Sequence, residues 1–314
     1  MGSIIAEAGT IPSVSYAELV HSDAAVRDLA AGSFTRALQS YGACRIREHG
    51  IPQEMVDTCF EKSTAFFNRD TNLKAAEAGT IVNARYVPFG SEKIRGEAHL
   101  DETLEFQYDA YAYNPPPSSE TNPSYSLRDA CRPFHEECNR IHATLLDALS
   151  SSFNLTRPLS SIHSTQNTYF APYFYHFPDP QDTNPLRVPS HIDPTSLLFN
   201  FQDPLGGLRI ADLRQTSGRL SATAITDSGT RFISATCAPG EFIVLAGNLL
   251  RKIVGERMKH SVHCVERPVG SKGVHLNYWT IPELETVFGM GDGREESVGE
   301  YLGRVFPAAF GNPQ

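Results

Sequence analysis

Residues 189–212 read PSHIDPTSLLFNFQDPLGGLRIAD, a segment in which short apolar runs alternate with turn-forming pairs. The turn signals are Asp203-Pro204 and Gly206-Gly207. Aromatic and aliphatic residues in short runs favour strands, and Pro or Gly between the runs ends each strand. The segment therefore predicts two strands, 195–201 and 207–212, that are joined by a tight turn in which glycine is needed.

The same pattern continues on both sides of this segment. Five more short runs are separated by Gly, Pro and Asp with almost no helical periodicity between them: 168–175, 231–236, 241–245, 259–265 and 274–280. Seven short strands with turn signals between them are typical of a β-sandwich or a jelly-roll barrel. The C-terminal half is therefore predicted to be mostly β.

The N-terminal part has helical periodicity. One apolar stripe ends at Gly42 and is formed by Val26, Leu29, Ala30, Phe34 and Leu38. A long amphipathic helix begins after a Pro- and Ser-rich segment, 115–123. We expect a mostly β protein with flanking helices (α+β), in which 1–120 packs on the barrel and 121–314 supplies the long helix and the barrel itself. The two regions are expected to form a single compact unit.

Composition excludes several classes of protein. The 314 residues are 40% apolar and 20% charged, which is globular rather than disordered. The net charge of −9 argues against a nucleic-acid partner. The longest apolar run, Phe242–Leu250, is far shorter than the about 18–20 residues that cross a membrane, and no signal peptide is visible. Six cysteines without CxxC spacing indicate a reduced, cytoplasmic protein.

The strongest chemical signal is His191-Ile192-Asp193. Residues i and i+2 of a strand face the same side, so this imidazole and this carboxylate can bind one metal ion. A histidine from a neighbouring strand, His260 or His263, would complete a set of two histidines and one carboxylate. Such a set is typical of non-haem Fe(II) oxygenases because it leaves three metal positions open. An HxD pair on its own also fits a surface histidine beside a turn-capping acid.

Longer motifs surround this pair over nearly the whole chain. They lie at 41–43 with 49–52, 189–193 with 202–208, 238–248, and 263–265. In these motifs the chain resembles the isopenicillin N synthase-like branch of the Fe(II)/2-oxoglutarate-dependent oxygenases. The resemblance implies a distorted double-stranded β-helix (jelly roll). It also implies that His191, Asp193 and His263 bind the metal, while His260 does not.

The chain departs from this family where 2-oxoglutarate is held. The family binds the distal carboxylate with an R-x-S motif about ten residues after the last histidine, and with a tyrosine on an earlier strand. Here Gly273-Val274-His275 replaces R-x-S, and His176 stands in place of the tyrosine. We expect a rearranged site in which Lys272 or Arg267 supplies positive charge, while His176 and His275 supply hydrogen bonds and, when protonated, further charge.

The resemblance implies an Fe(II)-dependent dioxygenase that uses 2-oxoglutarate and O2 to hydroxylate, desaturate or cyclise a small organic molecule in specialised metabolism. Two alternatives remain open from the sequence. One is an Fe(II) oxidase of the isopenicillin N synthase type, which needs no 2-oxoglutarate. The other is a non-catalytic jelly-roll binding module.

An aromatic substrate pocket is expected between the strands. Its candidate residues are Tyr173, Tyr175, Phe199 and Phe201, with Arg85, Tyr86 and Arg95 reaching the site from a loop-rich lid. A monomer that binds small molecules, with neither nucleic acid nor membrane as a partner, is the expected state.

Overall fold

The computed structural model describes residues 10–78, 84–94, 96–108, 123–176, 186–216, 221–268, 270–291 and 293–306. Eight α-helices lie within these ranges: α1 Tyr16–Leu19, α2 Ala24–Tyr41, α3 Gln53–Phe67, α4 Thr71–Ala78, α5 Pro123–Ser152, α6 Ala222–Asp227, α7 Asn248–Val254 and α8 Val298–Val305. None of the helices in the described part of the chain is both long enough and apolar enough to cross a membrane.

The same ranges contain sixteen strands. They are β1 Ser13–Ser15, β2 Ala43–Arg47, β3 Ala84–Val87, β4 Lys93–Ile94, β5 Glu97–Ala98, β6 Asp101–Gln107, β7 Thr168–Tyr175, β8 Leu186–His191, β9 Leu197–Gln202, β10 Leu208–Ala211, β11 Phe232–Ser234, β12 Glu241–Ala246, β13 His263–Glu266, β14 Gly273–Thr280, β15 Val287–Gly289 and β16 Glu295–Ser297.

Two sheets form the centre of the fold. The large sheet has the strand order β1-β2-β12-β9-β14-β7-β6-β3, and the small sheet has the order β11-β10-β13-β8. Strands from the N-terminal region lie at both edges of the large sheet, so residues before 108 complete a sheet whose middle comes from the C-terminal region. The architecture is a double-stranded β-helix flanked by helices, which confirms the predicted fold class.

The two faces of the large sheet have different neighbours. The outer face packs on α3 and α5 through a continuous apolar core that includes Phe134, Phe170 and Tyr278. The apolar stripe predicted for α5 is buried except at Ala130, which is partly exposed; its buried positions are Leu127, Phe134, Cys138, Ile141, Leu145 and Leu149. In α2 the stripe is rotated, because Leu29 is 51% exposed while its neighbours Ala30 and Ala31 are buried.

The turn between β9 and β10 requires its glycines, as predicted. Gly206 has a φ of 60° and Gly207 a φ of 113°, both in the region that favours glycine. A Cβ at Gly207 would collide with the backbone carbonyl of Glu266 on β13. The close approach of these two backbones keeps β10 paired with β13 next to the site.

Two expectations about strands were wrong. The strand expected over 259–265 begins only at His263, since Ser261 N already bonds to Ala246 O across the fold. The stretch with Arg85 and Tyr86 was expected to be a loop-rich lid, yet it forms β3, which pairs with β6. β6 reads DETLEFQ, and cations pair with two of its three buried carboxyl groups: Lys74 with Glu102, and Arg85 with Glu105.

Candidate active site

Three metal-binding side chains meet where two strands of the small sheet pair. His191 ends β8, His263 begins β13, and the two residues are register partners. Asp193 follows two residues after His191, with Oδ1 3.4 Å from His191 Nε2 and Oδ2 3.5 Å from His263 Nε2. The three ligand atoms all lie within 4.8 Å of one another. The fold thus brings together the three residues that the resemblance implied.

The ring nitrogens of the two histidines suit a metal site. His191 Nδ1 lies 2.9 Å from Pro189 O, which only accepts, so Nδ1 donates and Nε2 faces Asp193. Burial opposes protonation of His191, but the Asp193 carboxylate outweighs it and raises the pKa of this imidazole. Burial, reinforced by the charge of His191, lowers the pKa of His263 to about 4. Burial opposes ionisation of Asp193, but the two imidazoles outweigh it and lower the pKa of its carboxyl to about 2.

These residues fit Fe(II). Bonds of about 2.1 Å to N and O ligands at right angles would place neighbouring ligand atoms about 3 Å apart, close to the separations observed from Asp193 to the two histidines. Two imidazoles and one carboxylate on one side of an ion leave three positions open. His260 is buried elsewhere, in a small hollow with Lys259 and Arg251.

A cavity of about 530 Å³ opens from this triad into the space between the sheets. Tyr173 and Tyr175 line it, as expected. Phe199 and Phe201 do not, because β9 presents its odd-numbered residues to the helices and its even-numbered residues, Leu198 and Asn200, to the cavity. Both faces of β9 are apolar, so the alternation pattern alone did not show which face turns inward.

A buried guanidinium lies behind one end of the cavity. Arg267 is fully buried, and its Nη2 donates to Asp203 Oδ1 at 3.0 Å and Oδ2 at 3.1 Å. Its Nε and Nη1 have no hydrogen-bond partner. The ring of Tyr175, which lines the cavity, lies 5.0 Å from the Arg267 Cζ. Two donors of a charged group are thus unsatisfied directly behind a cavity residue.

The absence of a side chain at residue 273 makes room for this guanidinium. A Cβ built on Gly273 would lie 2.7 Å from Arg267 Nη1 and would collide with the Asp203 carboxylate. Gly273 is the position where the resembled family carries its arginine. An arginine on β14 and the Arg267–Asp203 pair therefore cannot occupy this space together.

His275 takes a different role from the one expected. Its Nε2 lies 3.0 Å from Gly206 O and therefore donates, while the Tyr175 hydroxyl lies 3.4 Å from Nδ1. Burial, followed by the nearby Arg267 charge, lowers the pKa of His275 to about 3. The imidazole is thus neutral at physiological pH and holds Tyr175 from behind. It neither lines the cavity nor adds the expected positive charge.

His176 and Lys272 lie away from the cavity. His176 is on the outer face of the large sheet, where its Nε2 lies 2.7 Å from Glu102 Oε1. Lys272 is exposed and donates to Asn68 Oδ1 at 3.1 Å, beyond the end of α3. The expectation that they contact 2-oxoglutarate is wrong, because strand register turns one outward and places the other at the surface.

Arg85 and Tyr86 are neighbours on β3 and therefore face opposite sides of the sheet. Tyr86 bonds to Glu102 in the outer cluster, so it does not reach the cavity. Arg85 lies on the inner face and donates to both carboxylate oxygens of Glu105 at 2.8 and 3.0 Å. The two residues belong to an edge strand rather than a lid, and Arg95 lies outside the described residues.

The cavity has a second polar region that sequence reasoning missed. Glu92, His99 and Glu105 line it. Burial, followed by the charge of Glu105, raises the pKa of Glu92. Burial and the charge of His191 lower the pKa of His99 to about 4. For Glu105 the sequence did contain a signal. Thr103 and Glu105 are two residues apart in DETLEFQ, and this spacing places them on the same face of a strand.

Comparison with known proteins agrees with this geometry. The model of the 2OG-Fe(II) oxygenase superfamily matches residues 163–282, which contain the triad. The chain belongs to the Fe(II)/2-oxoglutarate-dependent oxygenase superfamily. A second family model, described as the N-terminal part of non-haem dioxygenases in morphine synthesis, matches residues 11–128 of this oxygenase.

Its similar proteins include fungal and plant members. The oxygenase is 27% identical to the 2-oxoglutarate-dependent dioxygenase frbA of Dothideomycetidae sp. (strain 11243), over 65% of this chain and 66% of the relative. It is 22% identical to the 2-oxoglutarate-dependent dioxygenase htyE of Aspergillus rugulosus, over 83% and 81%. The solved structure of the dioxygenase for auxin oxidation in rice has a TM-score of 0.70 at 16% identity, over 95% and 96%. The predicted Fe(II), 2-oxoglutarate and dioxygenase class are confirmed, in preference to the oxidase and the non-catalytic module.

Proposed function

We propose that this oxygenase oxidises a small organic molecule of specialised metabolism, with Fe(II) on His191, Asp193 and His263 and with 2-oxoglutarate directed toward Arg267. When bound, the metal and cosubstrate supply the oxidising chemistry, in which O2 converts 2-oxoglutarate to succinate and CO2 while the substrate is oxidised. The residues of the chain hold these groups and exclude water. The relative frbA, named as a 2-oxoglutarate-dependent dioxygenase, and a relative of Petromyces alliaceus named as a proline hydroxylase support the proposal.

The observation that carries the cosubstrate assignment is the pair of unpartnered donors on Arg267. A buried guanidinium with free N–H groups is costly unless an acceptor arrives, and a carboxylate matches its planar fork. Tyr175 covers the guanidinium, so we propose that its ring turns aside or that its hydroxyl donates to the same carboxylate. Asn200 and Asn277, hydrogen-bonded to each other at 2.6 Å, complete the polar wall of the cavity.

The remaining wall favours exclusion of water. Tyr173, Leu198 and Trp279 line the cavity from the large sheet, while Leu302 and Val305 line it from α8. Electrostatic contacts strengthen when water is excluded from such a site. We further propose that the protein is a cytoplasmic monomer. All six of its cysteines are free thiols, which supports this location.

An anaerobic titration tests the cosubstrate assignment. Fe(II)-loaded protein is titrated with 2-oxoglutarate and with 2-oxobutyrate, which lacks the distal carboxylate, while the visible charge-transfer absorption of the chelate is recorded. We expect 2-oxoglutarate to bind about tenfold or more tightly, and Arg267→Gln to remove this preference. Lys272→Ala serves as the control and is expected to retain it. Equal affinities in the native protein would overturn the role of Arg267, and the absence of any absorption would overturn the proposed cosubstrate chemistry.

A further inference from the structure

The inner face of β6 and the β4–β5 hairpin place two carboxylates at the cavity with only one guanidinium paired to them. The Arg85 guanidinium donates to Glu105 through Nε, at 2.8 Å, and through Nη2, at 3.0 Å. The Glu92 Oε1 remains 3.5 Å from Arg85 Nη2, beyond good hydrogen-bonding distance. Glu92 is therefore a carboxylate of the cavity wall that its ion pair satisfies only in part.

His99 is a second, independent indication of a missing ligand. Its side chain lines the same part of the cavity and is only 7% exposed, yet neither ring nitrogen has a hydrogen-bond partner. The nearest carboxylate oxygens, Glu92 Oε2 at 3.7 Å and Asp101 Oδ2 at 3.9 Å, are too distant for a hydrogen bond. Buried polar atoms in native proteins are nearly always paired, and a neutral imidazole has one nitrogen that accepts, so a ligand with a polar hydrogen would supply one missing partner of His99.

The net charge of the cavity with Fe(II) and 2-oxoglutarate bound indicates the sign of the charge on that ligand. The two negative charges of 2-oxoglutarate cancel the two positive charges of Fe(II), so the protein's own groups set the remaining charge. Asp193, Glu92 and Glu105 then stand against the guanidinium groups of Arg85 and Arg267, which leaves one net negative charge, and the Lys93 side chain that lines the cavity is exposed to solvent. Burial and the charges of Glu105 and Glu92 also raise the pKa of Tyr173 well above its usual range, which reports a negative potential beside it.

A second metal ion does not explain this region. In the described part of the chain, the only group of three metal-binding side chains with mutually close ligand atoms is His191, Asp193 and His263. Glu92 and His99 therefore need a cation that hydrogen-bonds rather than one that demands several converging ligands. An alkylammonium group meets this need, since it carries positive charge and up to three donors but no acceptor.

We propose that the substrate is an organic amine whose protonated nitrogen pairs with Glu92 and donates a hydrogen bond to His99. This inference rests on the proposed oxygenase function and specifies its substrate class. The His99 ring lies 6.1 Å from the ring of the metal ligand His191, so the nitrogen binds close to the oxidising centre. A neutral or anionic substrate would leave the half-buried Glu92 carboxylate without this second cationic partner.

Calorimetric titration of the Mn(II)- and 2-oxoglutarate-loaded protein tests this inference without turnover. The probes are matched in shape: phenethylamine, 2-phenylethanol and phenylacetate form one set, and tryptamine, 3-(2-hydroxyethyl)indole and indole-3-acetate form another. We expect each amine to bind about tenfold or more tightly than its alcohol, and the acid to bind weakest. Glu92→Gln is expected to remove this preference, Glu92→Asp to retain part of it, and Glu295→Gln, at an exposed site on β16, to leave it unchanged.

The outcomes separate this inference from the function on which it rests. An alcohol or acid that binds as tightly as its amine, or amines that fail to bind, would overturn the amine assignment. Saturable binding of 2-oxoglutarate in the same protein would leave the proposed function standing. If the native protein instead fails to bind 2-oxoglutarate, the result would count against the proposed function itself. Retention of the amine preference in Glu92→Gln would exclude Glu92 as the partner.

Discussion

Arg267, the residue directly after β13, and Gly273, the first residue of β14, share one volume of space, because the Arg267 Nη1 lies 2.7 Å from the point where a Cβ of residue 273 would stand. The buried Arg267 side chain fits only because residue 273 has no side chain. The absence of the family's arginine at residue 273 and the burial of Arg267 are therefore parts of the same change. The positive group is retained, but it reaches this end of the cavity from the neighbouring sheet.

Gly273→Ala is expected to break the Arg267–Asp203 pair. The new methyl group would overlap the Asp203 carboxylate, so the variant should lose about 1–3 kcal/mol of stability and bind 2-oxoglutarate more weakly. Gly289→Ala is the matched control, since a Cβ there meets nothing within 4 Å. Chemical denaturation and the anaerobic titration measure the two effects. Identical behaviour of the two alanine variants would contradict the shared-space argument.

Metal binding is expected to distinguish His263 from His260. His263→Ala removes one of the three converging ligand atoms and should abolish stoichiometric Fe(II) binding. His260→Ala should retain it, since His260 lies in a separate hollow. Anaerobic Fe(II) titration of both variants, with circular dichroism to verify folding, makes the comparison. If His260→Ala also loses the metal while remaining folded, the ligand set proposed here is incomplete.

Stability is expected to fall as the pH drops below 6.5, because buried histidines are held neutral. Burial, followed by the charges of Arg132 and Arg128, lowers the pKa of His135 to about 3. The unfolded chain gains a proton near pH 6.5 and the folded chain does not, so the stabilisation is complete above pH 6.5 and decreases below it. This one group should account for a loss of about 2 kcal/mol between pH 6.5 and pH 5.

Urea unfolding at pH 7 and pH 5 measures this loss. His135→Gln keeps a donor for Thr168 Oγ1, which lies 2.9 Å from His135 Nε2, but cannot titrate. The difference in stability between the two pH values should therefore be smaller in the variant by about 2 kcal/mol. An unchanged difference would show that His135 is not the source.

Lys74→Met is expected to destabilise the protein severely. The Lys74 ammonium lies 2.6 Å from Glu102 Oε1, and both side chains are almost fully buried. Removing the cation leaves a buried carboxylate with fewer partners, which typically costs about 3–5 kcal/mol. Lys272→Met, at an exposed lysine, should cost less than about 0.5 kcal/mol. Thermal and urea unfolding compare the two, and a cost for Lys74→Met as small as that for Lys272→Met would contradict the role of this pair.

Sequence reasoning was most successful where residue chemistry alone is decisive. The Gly206-Gly207 turn, the stripe of α5 and the histidine–carboxylate set follow from local pattern and motif. It failed where distant residues decide which face of a strand turns to the cavity, or which cation pairs with a buried carboxylate. Phe199 and Leu198 are both apolar, and only the packing of α5 decides which one turns away from the cavity. β6 was missed because the partners of its charges lie about 20–30 residues earlier in the chain.

The cavity has guanidinium donors behind Tyr175 and carboxylate acceptors at Glu92, so its electrostatic potential is positive in one region and negative in another. With the 2-oxoglutarate carboxylate on Arg267, a substrate that carries one ammonium group is accepted with that group toward Glu92 and opposed in the reverse orientation. This polarity selects which carbon of such a ligand faces the triad before apolar contacts contribute. Regiochemistry in this oxygenase would then depend on the placement of a few charges, and a single neutralising substitution would suffice to relax it.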